Sequence, residues 1–201
     1  MTDPNEPADL APGDEIKELE AARKGDPEAL GSLLGGHLGF IRDRVRRLAP
    51  RDGAYRDSDF VQSALLKAIE GLPGFNGSSR GAFVAWLGSI VRNTVLQRQR
   101  YRNAAKRAGK TSGSGVDELA AMTHTPSSEA AQLDSLVTVA RAMRALTDEQ
   151  RRAIELRIID ELPYPVVAAE LGLGEGAARM AVSRARAALA LEISRLEGED
   201  G

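Results

Sequence analysis

Apolar residues recur every three to four positions along most of the chain, and this period predicts amphipathic helices rather than strands. The first run follows Asp26 and Pro27, a helix-capping acid and a proline suited to the first helical position, and it extends over residues 30–48 as one apolar stripe. A second helix is expected to begin at Ser58 or Asp59 and to bury one face. The first part of the chain is therefore predicted to be helical.

A turn-rich loop of Gly, Asn and Ser residues follows, over residues 73–81. The third predicted helix has a core stripe from Phe83 to Val91 and gathers arginines as it approaches Arg107. Beyond it, residues 109–128 have the Gly, Ser and Thr content of a flexible linker. The linker separates two helical halves.

The second half opens with a helix whose apolar positions lie within residues 133–146. Thr147 and Gln150 come next, at the spacing of a capping box in which each side chain satisfies a backbone donor of the other. The helix that starts there should carry Ile154 and Ile158 on its buried face. A helix start is thus predicted at Thr147.

The last predicted elements are a short helix ending near Leu171, a glycine-containing turn at 172–174 and a long helix ending near Leu196. No segment shows the alternation typical of a strand. We therefore expect an all-α fold of two small helical domains joined by a flexible linker. The expected divisions are a disordered acidic leader, a first helical domain, the linker and a second helical domain, at residues 1–14, 15–107, 108–132 and 133–197.

The composition argues against several kinds of chemistry. The 201 residues include no Cys and two His, which removes disulfide frameworks, thiolate zinc sites, iron–sulfur clusters and cysteine nucleophiles. No apolar run approaches the ~18 residues that a membrane-spanning helix needs. The first residues also lack the basic and apolar segments of a signal peptide. We expect a cytoplasmic protein with no membrane insertion, no metal and no cofactor.

The net charge of -2 conceals a strong separation of charge along the chain. Residues 1–20 hold seven acidic side chains and one Lys, a net charge of -6, whereas residues 71–116 hold eight Lys and Arg and no acid, a net charge of +8. A pI near 5.8 would by itself argue against a nucleic-acid partner. The basic stretch removes that objection.

The most specific local pattern is a short helix, a glycine turn and a longer helix over residues 165–189, as in a helix-turn-helix unit. The buried seam predicted for the final helix consists of Ala178, Val182, Ala185 and Leu189. A different face presents Arg179, Ser183 and Arg186, whose guanidiniums and hydroxyl suit guanine edges and phosphates. A glycine turn alone is typical of any helical domain, but the three features together favour DNA binding.

The acid-free stretch offers a second candidate interface. Its helix carries Arg92, Arg98, Arg100 and Arg102, with Trp86 and Tyr101 interleaved. Arginines attract phosphates and flat rings stack on bases, a combination used to bind unpaired strands. Trp86, however, falls on the apolar stripe and is interpreted as core.

Two ordered sets of residues resemble a known family. The first resembles region 2 of an extracytoplasmic-function sigma factor of the sigma-70 family and comprises Asp59-Phe60-Val61-Gln62, Phe83-Val84-Ala85-Trp86-Leu87, Ile90 and Arg92-Asn93 with the arginines that follow. The second resembles region 4 and comprises Leu146-Thr147, Arg151, Leu156-Arg157, Ala168, Leu171-Gly172, Gly176 and Arg184-Ala185-Arg186-Ala187-Ala188-Leu189. The resemblance covers residues 15–195 in the order that the family has.

The resemblance implies a dissociable, non-enzymatic subunit of bacterial RNA polymerase that recognises the minus-35 and minus-10 promoter elements and promotes DNA melting. The residues implied to face the β′ clamp helices of the core polymerase are Asp59, Gln62 and Ser63. Those implied at the minus-10 strand are Asn76, Arg80, Asn93, Arg98 and Arg100. Those implied at the minus-35 element are Arg179, Ser183, Arg184 and Arg186, with Arg184 nearer the DNA backbone or the packing of the domain itself. The β flap of the polymerase and an anti-sigma factor are further implied partners.

The chain departs from the family pattern at a few positions. Gln97 stands where Asp is usual, Pro165-Val166 where an acidic pair is common, and Ala177 and Ala181 where Thr and Arg are frequent. Loss of these polar groups is expected to weaken phosphate contacts or to change promoter preference while leaving the fold intact.

Two other functions compete with this interpretation. A helix-turn-helix regulator acting without polymerase would use the second domain but would leave the polar face and basic helix of the first domain unexplained. A nuclease or nucleotidyltransferase would need clustered carboxylates near the nucleic acid. The basic stretch contains no carboxylate, which argues against this enzyme class.

Overall fold

The structure, a computed structural model, describes residues 12–51, 56–107 and 129–199. These residues form helices and no strand, which confirms the all-α prediction. Helices α1 to α9 are, in order, Pro12–Arg23, Pro27–Gly36, Leu38–Leu48, Asp57–Gly71, Arg80–Arg107, Glu129–Ala145, Asp148–Ile154, Tyr164–Leu171 and Glu175–Glu199. A 3₁₀ turn, Leu72–Gly74, follows α4, and a π-helical turn, Glu155–Ile159, follows α7. None of the described helices is long and apolar enough to span a membrane.

The described chain divides into two compact units at positions inside two helices. The first unit holds α1 to α4, α5 as far as Val95 and α6 as far as Val137. The second unit holds α5 from Leu96, α6 from Thr138, and α7 to α9. The predicted limit at 107 lies 12 residues after Val95, and the predicted limit at 133 lies 4 residues before Val137. The predicted linker and leader fall largely on residues 108–128 and 1–11, outside the described residues.

The first unit is built from short helices packed in pairs. Helix α1 packs on α2, and α3 packs on α4. Its core includes Leu34, Ile41, Phe60 and Leu87, each no more than 1% exposed. Helix α1 begins at Pro12 and so includes three residues that were expected in the leader. Proline is well tolerated there because the first helical residues have no intrahelical hydrogen bond to lose.

The apolar stripe predicted over residues 30–48 forms two helices rather than one. Asp26 caps α2 as expected, since its Oδ1 accepts a hydrogen bond from the Ala29 N–H at 2.8 Å. The helix ends after Gly35 and Gly36, residues that weaken a helix interior. The break lies at His37, whose φ of -108° and ψ of 4° leave the helical region. The apolar period of residues 30–48 therefore continues across a break between two helices, and the break follows two glycines that weaken the helix.

Helix α7, in the second unit, begins at the position that the sequence predicted. The Thr147 N–H donates to Gln150 Oε1 at 3.1 Å and the Gln150 N–H donates to Thr147 Oγ1 at 3.3 Å, which confirms the capping box. The helix that follows does not remain α-helical to its end. Its last turn is π-helical, with the Asp160 N–H donating to the Glu155 carbonyl at 2.8 Å, and Ile158 remains buried within it.

Candidate nucleic-acid interface

The second unit contains a helix-turn-helix whose turn depends on one glycine. Gly172 follows α8 with a φ of 66° and a ψ of 29°, in the left-handed region. Its N–H donates to the Ala169 carbonyl at 3.2 Å, and the Leu173 N–H donates to the Ala168 carbonyl at 2.8 Å. A residue with a Cβ is strained in this conformation, so glycine suits the position. This turn directs α9 away from α8.

Helix α9 buries the predicted seam and exposes most of the predicted DNA-facing residues. The seam residues are at most 2% exposed: Ala178, Val182, Ala185 and Leu189. On the other side Arg179, Ser183 and Arg184 are exposed, whereas Arg186 is half-buried. The separation of the two faces confirms the seam. It also leaves the side chains of two arginines and one serine exposed.

Arg179 is held by two neighbours that the sequence interpretation did not identify. Its Nη2 lies 2.7 Å from the Glu175 carboxylate, one helical turn earlier. Its Cζ lies 4.2 Å from the ring centroid of Tyr164, the first residue of α8. Arg157, from the π-helical turn, also places its Cζ over this ring, at 5.0 Å. The side chain of Arg179 nevertheless remains 56% exposed.

The residues predicted at the minus-10 strand occupy different environments. Asn76 in the loop before α5 is exposed, as are Asn93 and Arg100 on α5, while Arg80 at the start of α5 is half-buried. Arg98 is only 2% exposed. Four of the five residues therefore have at least part of their surface available, and Arg98 does not.

Arg98 lies within the second unit. Its Nη2 donates to the Ile159 carbonyl at 3.0 Å and lies 3.4 Å from the Glu161 carboxylate. Next to it, Gln97 Nε2 donates to Asp160 Oδ2 at 2.9 Å. Glu161 itself has a φ of 55°, a conformation uncommon for a residue with a side chain. Gln97, a departure from the family pattern, therefore has a specific hydrogen bond to the Asp160 side chain.

Trp86 belongs to an aromatic cluster of the first unit. Its ring centroid lies 5.0 Å from that of Phe75 and 5.6 Å from that of Phe83, both of which are buried. Phe83 also receives the edge of the buried His37 ring at 5.1 Å. Contacts of this kind stabilise a core beyond the area they bury. The cluster supports the structural interpretation of Trp86 and anchors the base of the loop that carries Asn76.

The residues predicted to face the polymerase clamp are mostly enclosed. Asp59 is 7% exposed, and its Oδ2 accepts a hydrogen bond from the Arg56 N–H at 3.0 Å at the start of α4. Ser63 is fully buried, and Gln62 is half-buried. The carboxylate of Asp59 thus serves the helix N-terminus, where a negative charge and an acceptor both stabilise the first turn.

Two family models match the chain in the order of its helices. Sigma-70 region 2 matches residues 33–105, and Sigma-70 region 4 matches residues 136–189. The ECF RNA polymerase sigma-E factor of Escherichia coli (strain K12) is 31% identical over 180 residues, which cover 85% of this chain and 90% of that protein. The chain belongs to the extracytoplasmic-function sigma factors of the sigma-70 family. As a sigma factor, it acts with RNA polymerase in promoter recognition.

One further relative and one solved structure also match most of the chain. The ECF RNA polymerase sigma factor SigL of Mycobacterium tuberculosis (strain ATCC 35801 / TMC 107 / Erdman) is 29% identical over 181 residues, covering 90% of this chain and 98% of that protein. A solved structure titled as the RsbN-BldN complex covers 86% of this chain and 96% of its own matched chain, at 22% identity and a TM-score of 0.34.

Proposed function

We propose that this sigma factor recognises the minus-35 promoter element with the exposed face of α9. The observation that carries the proposal is that α9 buries an apolar seam and leaves Arg179, Ser183 and Arg184 exposed. A helix of this kind lies in the major groove, where a guanidinium can bind the O6 and N7 atoms of guanine with two hydrogen bonds. Arg186 is half-buried and contributes through its exposed portion.

At the minus-10 element, we propose that the melted strand is held by Asn76, Arg80, Asn93 and Arg100. Their side chains combine hydrogen-bonding amides with guanidiniums, and the exposed ones lie in a stretch of chain that has no carboxylate. Binding energy gained from unpaired bases offsets the cost of unstacking and unpairing them. Promoter melting then needs no covalent step, so the factor is proposed to act as a binding subunit and not as an enzyme.

The polymerase contacts are proposed to be the β′ clamp helices for the first unit and the β flap for the second. Of the predicted clamp residues, Gln62 is the one with substantial exposed surface. Asp59 and Ser63 are proposed to act by fixing the start and packing of α4. An anti-sigma factor is a further proposed partner, and the site of action is proposed to be the cytoplasm, where bacterial transcription takes place.

In vitro transcription with core polymerase tests the minus-35 proposal. Arg179→Ala is expected to weaken use of a guanine-containing minus-35 element by ~1 to 3 kcal/mol, the value of one bidentate contact. The matched control is Arg195→Ala, because Arg195 is an exposed arginine of the same helix that pairs with Glu192 and Glu199. Equal activity of the Arg179→Ala and wild-type factors would refute the assignment.

Association with core polymerase separates this function from that of an independent helix-turn-helix regulator. The sigma factor is expected to co-purify with core polymerase and to direct transcription only in its presence. A regulator would bind the same promoter fragment tightly by itself and would not associate with the core. The second outcome would overturn the proposed function while leaving the helix-turn-helix fold in place.

A further inference from the structure

The ring of Tyr164 contacts two arginines that come from two other elements of the second unit. Tyr164 begins α8, Arg157 comes from the π-helical turn before it, and Arg179 comes from α9 after it. Both guanidinium carbons lie over the ring, at 5.0 and 4.2 Å from its centroid. A guanidinium this close to an aromatic face is attracted to the negative potential of the ring.

The contact orients Arg179 without using its hydrogen-bonding edge. The attraction of the ring acts on the guanidinium charge and does not require any of its five N–H donors, which lie in the plane of the group. Glu175 fixes one of those donors, on Nη2 at 2.7 Å, and an Nη2 atom carries a second N–H. The side chain is still 56% exposed. The orientation of the Arg179 side chain is therefore restrained, and its guanidinium can still donate two hydrogen bonds to a base.

The ring is not needed to fill the core of the helix-turn-helix. Tyr164 is half-buried, whereas Val167 of α8 and Ala178 and Val182 of α9 are at most 2% exposed. A purely structural tyrosine would be expected to bury its ring among such residues. The ring of Tyr164 instead meets the half-buried Arg157 and the exposed Arg179, which belongs to the proposed DNA-binding face.

We propose that Tyr164 is a positioning residue for minus-35 recognition, which holds the Arg179 guanidinium in the orientation that binds a guanine edge. The inference rests on the proposed function of Arg179. A long side chain loses rotational freedom when it binds, and a restrained one loses less. Tyr164 thus affects which base is preferred, without itself touching the DNA.

The test uses the full-length factor with bacterial core RNA polymerase and a defined promoter library. The library is made from the genomic fragment that wild-type holoenzyme transcribes best, with its minus-35 hexamer randomised, and the transcripts are sequenced. Arg179→Ala is expected to abolish the guanine preference at one position. Tyr164→Leu is expected to lower that same preference about two- to fivefold, the range of one exposed cation–π contact, while Tyr164→Phe retains it.

The controls separate positioning from folding and from the proposed function itself. Arg195→Ala should leave every position of the preference unchanged. Tyr164→Met retains most of the side-chain volume and replaces the Leu variant if circular dichroism shows that the Leu variant is not folded. In the Arg179→Ala background, removing the ring should have no further effect on base preference, a coupling that a structural role would not produce.

Each result decides one of the two claims. If Arg179→Ala leaves the preference unchanged, the proposed function of that arginine is wrong. If Arg179→Ala removes the preference and a folded Tyr164→Leu or Tyr164→Met variant keeps it, Arg179 reads the promoter unaided and the positioning role is wrong. A loss of preference in Tyr164→Phe equal to that in Tyr164→Leu would also overturn it, because Phe keeps the aromatic face.

Discussion

Replacing Gly172 by Ala should destabilise the helix-turn-helix through the backbone alone. The φ of 66° lies in the left-handed region, and a Cβ built at this position meets no other atom within 4 Å. Steric crowding by neighbours is therefore absent, and the cost is the local strain of the left-handed conformation, about 1–2 kcal/mol. Alanine also restricts the unfolded chain, which returns about 0.4–1 kcal/mol. A net loss of about 1 kcal/mol is expected.

Two companion variants calibrate this value. Asn tolerates the left-handed conformation better than Ala, so Gly172→Asn should cost less than Gly172→Ala. Gly176 lies in the first turn of α9, has no positive φ and also has open space around its Cβ position. Gly176→Ala should be neutral or stabilising by up to about 0.5–1 kcal/mol, because alanine favours a helix. The three changes share one segment and differ in backbone conformation.

Native-state hydrogen exchange measured by mass spectrometry is the suitable assay, since it reports opening of α8 and α9 separately from the rest of the full-length chain. Gly172→Ala should raise the exchange rate of amides in these helices about fivefold, with peptides of the first unit unchanged. The reasoning would be refuted if Gly172→Ala and Gly176→Ala had the same effect. It would also fail if Gly172→Asn were the most destabilising of the three.

Three further predictions concern buried and exposed charged residues. Asp59→Ala should lower the stability of the first unit by about 1 kcal/mol through loss of a helix cap, measured by urea unfolding with the single Trp86 as the fluorophore, and an unchanged midpoint would exclude the capping role. Glu161→Gln should lower the free energy of unfolding of the second unit by about 3 kcal/mol, because the Arg98 charge stays buried with a neutral partner. Hydrogen exchange at wild-type rates would show that the pair does not form. Arg100→Gln should reduce the salt slope of open-complex formation by about 0.7, the value for one single-strand phosphate, whereas Arg98→Gln should leave it nearly unchanged. An equal reduction in both variants would place Arg98 on the DNA, and no reduction in either would exclude Arg100 from it.

Features that depend on near neighbours in the chain were predictable. The capping box needs only Thr147 and Gln150, three residues apart, and the glycine turn needs only one residue that adopts a positive φ. The seam of α9 follows from the helical period, since Ala178 and Leu189 share one face whatever packs against them. These interactions join residues within a few turns of one helix, so they stabilise local structure before the tertiary fold forms.

The break at His37 and the π-helical turn were not predictable in the same way. An apolar period of three and four residues is compatible with one helix or with two that meet at a tight turn. The choice depends on what the buried side chains meet, including the contact of His37 with Phe83, which is 46 positions later in the sequence. The apolar pattern after Ile154 is the same for an α-helical and a π-helical turn, so the sequence does not predict the π-helical turn.

The sequence by itself determined the helical fold, the family, the helix-turn-helix and the face of α9 that carries Arg179. Only the tertiary structure decided which charged residues face solvent. Arg98 and Arg100 are indistinguishable as members of a basic run, yet one binds a carbonyl 61 residues away and the other is exposed. The contact of Tyr164 with Arg179 could not be predicted from the sequence either. Charge and period are properties of the chain, whereas the desolvation of a guanidinium depends on partners that folding brings from distant positions.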